Sequence, residues 1–263
     1  MDDADRVKDG LNSAMSGVER GRAVADRLCV ACVELLGVDG AALSVMYEGT
    51  LSRSFGASSA ASRELDELQF VLGEGPCLAA VSSGAPVLAP DLNDGAAVRW
   101  PGFAEAAVAR GVRAVFALPV TVASVQVGAL DLYRNEPGEL DAAGLAGALV
   151  AAELAALPLL DLMGVDLNAA VTDETSTAWE ELSALTRVEV YQAAGMLIAQ
   201  LGVSPAEALV RLRGYAFAQD LSASEVAWQI LDRELRLDDD RRDGNDSAGD
   251  GPPRPVSDED GGL

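Results

Sequence analysis

The chain has 263 residues, a formal net charge of -23 at pH 7 and a hydrophobic content of 49%. It contains no histidine, and Lys8 is its sole lysine. These absences exclude Ser-His and Cys-His catalytic pairs, histidine ligation of metal or haem, the phosphate-binding Walker lysine and buried Schiff-base lysines. Its many carboxylates are typical of a solvated surface. We therefore expect no catalytic residues, no metal site and no enzyme activity.

The length fits two domains, and the apolar content is enough for a buried core. The first twenty residues lack the apolar stretch of a signal peptide. The most apolar segment, 142–160, contains Glu153 and Pro158, which favours a soluble helix over a membrane span. Three cysteines suit a reducing compartment better than a disulfide framework. The sequence predicts a cytoplasmic protein that does not contact a membrane.

The N-terminal half alternates between helical and strand patterns. Residues 1–14 are expected to be flexible, and a first domain to span 15–160. A helix over 20–36 is predicted to bury Cys29 and Cys32, since neither histidine nor a second cysteine pair accompanies them. Further predicted elements, in chain order, are a strand hairpin at 41–47 and 51–55, helical segments at 58–83 with a break at 73–76, a strand at 85–89, a helix at 103–110, central strands at 112–122 and 125–133, and a helix at 139–160.

The C-terminal part reads as three helices joined by tight turns. A linker at 161–175 precedes a domain at 176–237, with helices at 176–201, 204–218 and 222–236. Ser204 with Glu207, and Ser222 with Glu225, have the spacing of capping boxes. Apolar seams at 140–160 and 176–190 predict a homodimer. The remaining residues, 238–263, contain nine acidic and three basic side chains, so we expect a disordered acidic tail.

Two sets of motifs resemble known domains. The run QAAGMLI at 192–198, followed by GVS at 202–204, resembles the ANTAR domain, the RNA-binding module of transcription antitermination regulators. Upstream, LQFVLGEGPC at 68–77, RWPxF at 99–103 and GALDLY at 128–133 resemble a GAF sensory domain of the kind fused to ANTAR in actinobacteria. The resemblance implies an α+β fold with a GAF-like antiparallel sheet flanked by helices, a linker helix and a C-terminal three-helix bundle.

The ANTAR resemblance implies that the bundle binds hairpin-loop RNA in nascent transcripts. Ala194 departs from the family, which often has lysine there, and it also lies on the apolar stripe of its helix. Gly195 has two open readings: its bare surface admits an RNA loop, or it lets two helices pack closely. The candidate RNA-binding residues are Arg187, Tyr191, Gln192, Ala194, Gly195, Arg211 and Arg213.

The GAF resemblance implies a sensory pocket for a small molecule or a redox signal, and no further cofactor. Cys77 follows Pro76 at a predicted helix start, where the helix N-terminus would lower the pKa of a sensing thiol; the alternative is a buried structural cysteine. The candidate pocket residues are Tyr47, Phe70, Cys77, Trp100, Phe103 and Phe116, although residues of these types are more often core residues.

Two functions follow from these features. The first is an antitermination regulator in which the GAF domain controls RNA binding by the ANTAR domain. The alternative is a signalling module whose acidic bundle, with eleven acidic and five basic residues over 166–237, binds a protein partner. The arginines discriminate between them: convergence of Arg187, Arg211 and Arg213 on an exposed face near Gly195 favours RNA, whereas pairing with Glu207 and Asp220 favours the protein partner.

Overall fold

The computed structural model describes residues 3–17, 21–47, 50–122, 125–163 and 187–237. Residues 164–175 of the predicted linker 161–175, the first part of the predicted helix 176–201 and the acidic tail lie outside the described residues, whereas residues 161–163 continue the preceding helix. The described chain forms an antiparallel sheet covered by helices, followed by three helices that pack on it. The α+β architecture predicted from the sequence is confirmed.

The sheet has five strands in the order β2-β1-β5-β4-β3, and all neighbouring pairs are antiparallel. The adjacent residues Val115 and Phe116 of β4 point to opposite faces, and both are buried. This is the expected result for strands that are apolar on both faces, because helices must cover each side. The strands are β1 (Gly40–Tyr47), β2 (Thr50–Ala57), β3 (Val87–Ala89), β4 (Ala114–Val122) and β5 (Val125–Arg134).

Seven helices accompany this sheet in the described chain. One face packs against α2 and α7, which α1 covers from outside, and Leu28 and Phe116 lie in their common core. The other face packs against α3 and α4, and α6 packs on α3. The helices are α1 (Asp3–Met15), α2 (Arg22–Leu36), α3 (Ala60–Leu72), α4 (Pro76–Ser83), the single turn α5 (Ala97–Arg99), α6 (Pro101–Ala109) and α7 (Ala142–Met163).

The expectation that residues 1–14 are flexible is wrong. Residues 3–14 lie within α1, and Val7 and Leu11 are buried against α2 and α7. The two side chains are one helical turn apart, so they lie on the same face of the helix. Charged neighbours such as Asp5 and Lys8 occupy the exposed face. The high charge of this segment concealed an amphipathic pattern.

Helix α7 has two faces with different roles. Ala148, Ala151 and Leu159 are buried in the same core as Phe116. By length and composition the stretch Ala142–Leu160 is also apolar enough to cross a membrane, and half of it is buried inside the structure. On the other face of α7, the side chains of Leu149, Leu157 and Leu160 are exposed.

The C-terminal helices are α8 (Val188–Leu201), α9 (Pro205–Ala218) and α10 (Ala223–Leu231). Ser222 and Glu225 form the complete capping box that the sequence predicts. Ser204 accepts the backbone N–H of Glu207, but the Glu207 carboxylate binds Arg211 instead of reaching back, so this second box is only half formed. Helix α10 ends before the predicted residue 236, because Arg233 adopts a left-handed conformation with φ 62°.

The three helices share one core with the sheet domain. Phe70 and Val71, near the end of α3, pack in the same cluster as Val190, Leu197 and Ile230 of the bundle. Helix α3 therefore has two faces: one rests on the sheet and the other supports the bundle. The junction between the two parts lies along this helix.

Candidate functional site

An ion pair joins α3 to the start of the bundle. Arg187 Nη1 donates to Glu67 Oε1 at 2.7 Å, and Nη2 donates to Oε2 at 2.5 Å. The Arg187 guanidinium also lies 3.7 Å from the centroid of the Phe70 ring, and only 1% of this residue is exposed. Two parallel charge-assisted hydrogen bonds and a stacked ring together make a strong and directional contact.

A second arginine lies over the same ring. The Arg213 guanidinium, from α9, is 4.4 Å from the Phe70 centroid. Burial lowers its pKa, the nearby Arg187 charge lowers it further, and Tyr191 and Glu67 act in the opposite direction. Its Nε is buried without a hydrogen-bond partner among the described residues. We call Glu67, Phe70, Arg187 and Arg213 the arginine clamp.

A weaker pair spans the rim of the same junction. Arg110 Nη2 donates to Asp220 Oδ1 at 2.8 Å, and both side chains are exposed. Exposed pairs of this kind contribute at most about 1 kcal/mol. A cavity of about 320 Å³ lies beside it and is lined in part by Glu64 and Glu225. The clamp, rather than this pair, is therefore the main polar connection between the two parts of the described chain.

The outer face of α8 is open beside the clamp. Tyr191 is 47% exposed, and Gln192 and Gly195 are exposed as well. A Cβ atom added to Gly195 would meet nothing within 4 Å. The interpretation that Gly195 permits tight helix packing is therefore wrong for the described structure. Tyr191 and Gly195 share this face of α8, and Arg213 of α9 lies close to Tyr191. We call these three residues the α8 face.

Ala194 and Arg211 do not belong to this surface. Ala194 is 4% exposed and packs among the apolar residues of the bundle, so its expected contact with RNA is wrong. Its position on the apolar stripe with Val190 is what determines its burial. Arg211 Nη2 donates to Glu207 Oε1 at 2.8 Å, one helical turn away.

The three arginines therefore do not converge on one exposed face. Arg187 and Arg213 converge on Phe70, where Arg187 is buried, and Arg211 pairs with Glu207. Asp220 is also paired, but with Arg110 of the sheet domain. The expected exposed patch of three arginines is wrong, and Arg213, which lies near Tyr191, is the member that belongs to the α8 face.

The predicted sensory pocket is not formed by the residues expected to line it. Phe70 belongs to the clamp, while Phe116 lies on the opposite face of the sheet from Trp100 and Phe103. Cys77 packs in a separate small cluster, and the side chain of Tyr47 lies outside the described residues. The aromatic residues belong to different core clusters, because the elements that carry them pack on different sides of the sheet or of α3.

A buried polar cluster lies on the inner face of α3. Gln69 Nε2 donates to Asp131 Oδ2 at 2.5 Å, and the Tyr133 hydroxyl donates to the same oxygen at 3.3 Å. The Ser44 hydroxyl donates to Asp66. Burial raises the pKa of Asp66 to about 6 and that of Asp131 to about 7. The sequence analysis missed this cluster, although an aspartate within the apolar run GALDLY was a signal for it.

Cys77 faces these carboxylates from α4. Its backbone N–H donates to Gln69 Oε1 at 2.8 Å, and its side chain is completely buried. Burial, and then the charges of Asp131 and Asp66, raise the pKa of its thiol. The expectation that the helix N-terminus would lower this pKa is wrong, because desolvation and the two carboxylates outweigh it.

Comparisons with known proteins agree with this architecture. A family model for the GAF domain matches residues 22–157, just over half of the chain, and a model for the ANTAR domain matches residues 183–231. No curated protein matches the sequence.

Among solved structures, the GAF domain of an Acinetobacter phosphoenolpyruvate-protein phosphotransferase has 9% identity and a TM-score of 0.50, with 63% of this chain and 98% of that chain covered. A free methionine-R-sulfoxide reductase from Neisseria meningitidis has 16% identity and a TM-score of 0.41, with 61% and 90% covered. At such identities the first likeness shows the fold alone, and the second carries no argument about function. The chain belongs to the GAF domain family and carries an ANTAR domain after its GAF domain, the combination of a sensory-regulated ANTAR regulator.

Proposed function

We propose that this protein is a cytoplasmic, non-enzymatic transcription antitermination regulator whose ANTAR domain binds hairpin-loop RNA under the control of its GAF domain. The arginine clamp is the observation that carries this proposal. Two residues of the GAF domain, Glu67 and Phe70, hold two arginines of the ANTAR domain. A change in the GAF domain that moves α3 therefore acts directly on side chains able to bind RNA.

The α8 face has the chemistry that single-stranded RNA requires. An exposed tyrosine such as Tyr191 offers a ring on which an unstacked base can stack, which contributes about 1–3 kcal/mol per base. Gly195 leaves the helix backbone open to close approach. The Arg213 guanidinium can fork to a phosphate or to a guanine edge. RNA binding requires local contacts of this kind, because the ANTAR domain as a whole carries negative charge and would otherwise repel RNA.

The clamp supplies the control. While Arg187 is bound to Glu67, its side chain is buried and is not accessible to a phosphate on the α8 face, although it lies one helical turn before Tyr191. Release of Arg187 would add a phosphate contact next to Arg213. A ligand that binds the GAF domain then shifts the equilibrium between the clamped and released states of Arg187. The difference between its affinities for the two states sets the size of the shift.

The protein-partner function remains the second candidate, and one observation favours it. Three large apolar side chains of the ANTAR helices are exposed, namely Val210 at 66%, Phe217 at 45% and Trp228 at 55%. Exposed apolar surface of this kind is typical of protein contacts. The pairing of Arg211 with Glu207 points in the same direction, because it removes one candidate from the RNA-binding set.

Sequencing of RNA crosslinked to the full chain in its own cell distinguishes the two functions. The proposal predicts enrichment of a recurring hairpin-loop RNA, with much lower recovery from an Arg213→Ala variant of equal abundance. A Glu105→Gln variant, changed at an exposed position on α6, is the control for expression and handling. Equal recovery of RNA from the wild type and from Arg213→Ala would contradict the proposal.

A further inference from the structure

Three potential metal ligands meet in the interior of the GAF domain. Asp66 lies on α3, Cys77 begins α4 and Asp131 lies on the central strand β5. One ligand atom from each residue lies within 4.8 Å of the other two. The three residues are 6%, 0% and 1% exposed, respectively. We call them the Asp-Cys-Asp cluster.

The hydrogen-bond donors that this cluster meets in the described chain are uncharged, and the charge of Arg187, from the clamp, acts on Asp66 and lowers its pKa without outweighing burial. Among the described residues, Asp66 binds the Ser44 hydroxyl, and Asp131 Oδ2 binds Gln69 and Tyr133. All of these donors are neutral. Buried carboxylates without a cation are costly, since burial removes their hydration.

One oxygen of the cluster is left over. Asp131 Oδ1 is buried and accepts no hydrogen bond from any N–H or hydroxyl group of the described chain. The thiol of Cys77 faces the Asp131 carboxylate, but a thiol is only a weak donor. A buried oxygen without a hydrogen bond is unfavourable, and a bound ion is one of the usual ways in which such an oxygen is satisfied.

We propose that Asp66, Cys77 and Asp131 bind a divalent metal ion of the zinc class. A thiolate disfavours magnesium and calcium, whereas zinc accepts both sulfur and carboxylate oxygen. Zn–S bonds of about 2.3 Å and Zn–O bonds of about 2.0–2.2 Å place ligand atoms roughly 3.5 Å apart. Since the ligand atoms lie within 4.8 Å of one another, the cluster needs to contract by at most roughly 1.3 Å around the ion.

The surrounding residues suit a metal site. Gln69 and Tyr133 hold Asp131 from behind, as hydrogen bonds to ligating carboxylates do in metal centres. The Ser44 hydroxyl donates a hydrogen bond to the carboxylate of Asp66.

On binding, the thiol proton of Cys77 is released to solvent and the sulfur donates its electron pair to the ion, with no change of oxidation state. This proposal departs from the expectation, drawn from the absence of histidine in the sequence, that the protein has no metal site.

Metal binding at this cluster does not depend on RNA binding. The cluster nevertheless shares helix α3 with the arginine clamp. Asp66 and Gln69 lie on the inner face of α3, whereas Glu67 and Phe70 lie on the face that forms the clamp. A contraction around an ion therefore acts on the same helix that holds Arg187.

Titration of the full chain with Co²⁺, which reports its ligands by absorption, tests this proposal. Because the cluster is buried, the ion is added both to the folded protein and during refolding from denaturant. We expect one equivalent to bind with a thiolate-to-cobalt charge-transfer band in the near ultraviolet, and Zn²⁺ to displace it. Cys77→Ala should abolish the band, while Cys32→Ala, which removes another buried thiol, should retain it. Asp131→Asn should weaken binding by about tenfold or more.

Two results would overturn the proposal. The first is wild-type protein that is folded by circular dichroism and binds neither ion in either arm. The second is a band that survives in Cys77→Ala but is lost in Cys32→Ala, which would place the metal at Cys29 and Cys32. Should Cys77→Ala fail to fold, the melting temperature decides instead: Zn²⁺ should raise it in the wild type and not in Asp131→Asn, and an equal rise in both would reject the site.

Discussion

Arg187 and Glu67 form a two-pronged ion pair across 120 positions of the chain, with Nη1–Oε1 at 2.7 Å and Nη2–Oε2 at 2.5 Å. The arginine is the residue just before α8, in a left-handed conformation with φ 46°, and the glutamate lies on α3. The start of the first ANTAR helix is thus fixed to the GAF domain by a side-chain contact. Removal of one partner from a buried pair costs about 3–5 kcal/mol, an upper bound here because Glu67 is partly exposed.

Gly195→Ala should stabilise the protein and weaken its binding to RNA. The new methyl group meets nothing within 4 Å, and alanine is better than glycine inside a helix by about 0.5–1 kcal/mol. The same methyl group would obstruct an RNA loop that approaches the backbone of α8. Denaturant unfolding and gel-shift titration with a hairpin-loop RNA measure the two effects.

The matched control is Gly214→Ala on α9, where an added Cβ also meets nothing within 4 Å. It should give a similar gain in stability with RNA binding nearly unchanged. If Gly195→Ala binds RNA as well as the wild type does, the backbone of α8 is not approached by RNA. The glycine would then have no role in recognition.

Ala194→Lys should destabilise the fold by about 2 kcal/mol or more, since the residue is buried among apolar side chains and lysine would lose hydration there. Ala199→Lys, at an exposed position of the same helix, should change stability by less than about 0.5 kcal/mol. Thermal melting compares the two variants. Equal melting temperatures would mean that Ala194 is accessible, and that a lysine there can reach RNA.

Much of the fold could be predicted from the sequence, because local patterns encode it. The hairpin of β1 and β2, the break at Gly73–Pro76 and the complete box of Ser222 and Glu225 each depend on neighbours a few residues apart. Helix α1 was missed because a charged surface face concealed its two core residues. Its partners, in α2 and α7, are fixed only by the tertiary fold.

The candidate site was predicted less well than the fold. Tyr191 and Gly195, two of the candidate RNA-binding residues, lie on one exposed face of α8, since positions four apart on a helix share a face. The partner of Arg187 could not be foreseen, because Glu67 lies in another domain. Asp66, Cys77 and Asp131 likewise come together only through packing of α3 and α4 on β5, which no sequence spacing reveals.

Leu149→Glu combined with Leu157→Glu should convert the proposed homodimer to a monomer. Both leucines are exposed on α7, and together with Leu160 they lie within one sector of the helix, given 3.6 residues per turn. The other predicted seam, at 176–190, lies almost wholly outside the described residues. Light scattering at micromolar concentration measures the mass. The control is Val125→Glu, at an exposed position of β5, which should leave the dimer intact. A monomer mass for the wild-type protein would contradict the proposed interface.

Removal of residues 238–263 should leave the melting temperature nearly unchanged and raise RNA affinity at low salt. These residues carry a net charge of minus six, from nine acidic and three basic side chains, and negative charge near Arg213 disfavours phosphate. The gain should disappear at high salt, because ions screen it. A drop of many degrees in melting temperature would show that the segment contributes to folding.

The central claim is that the GAF domain restrains RNA binding by holding Arg187, and the salt dependence of RNA affinity in Glu67→Gln tests it most directly. Glu67→Gln frees the guanidinium, so the full-length variant should bind a hairpin-loop RNA more tightly than the wild type at low salt. The slope of log affinity against log salt should steepen by about 0.7 to 0.9, the value of one phosphate contact. Glu105→Gln makes the same charge change at an exposed position of α6 and should leave the slope unaltered. Equal slopes for the wild type and Glu67→Gln, or no RNA binding by either, would contradict the account.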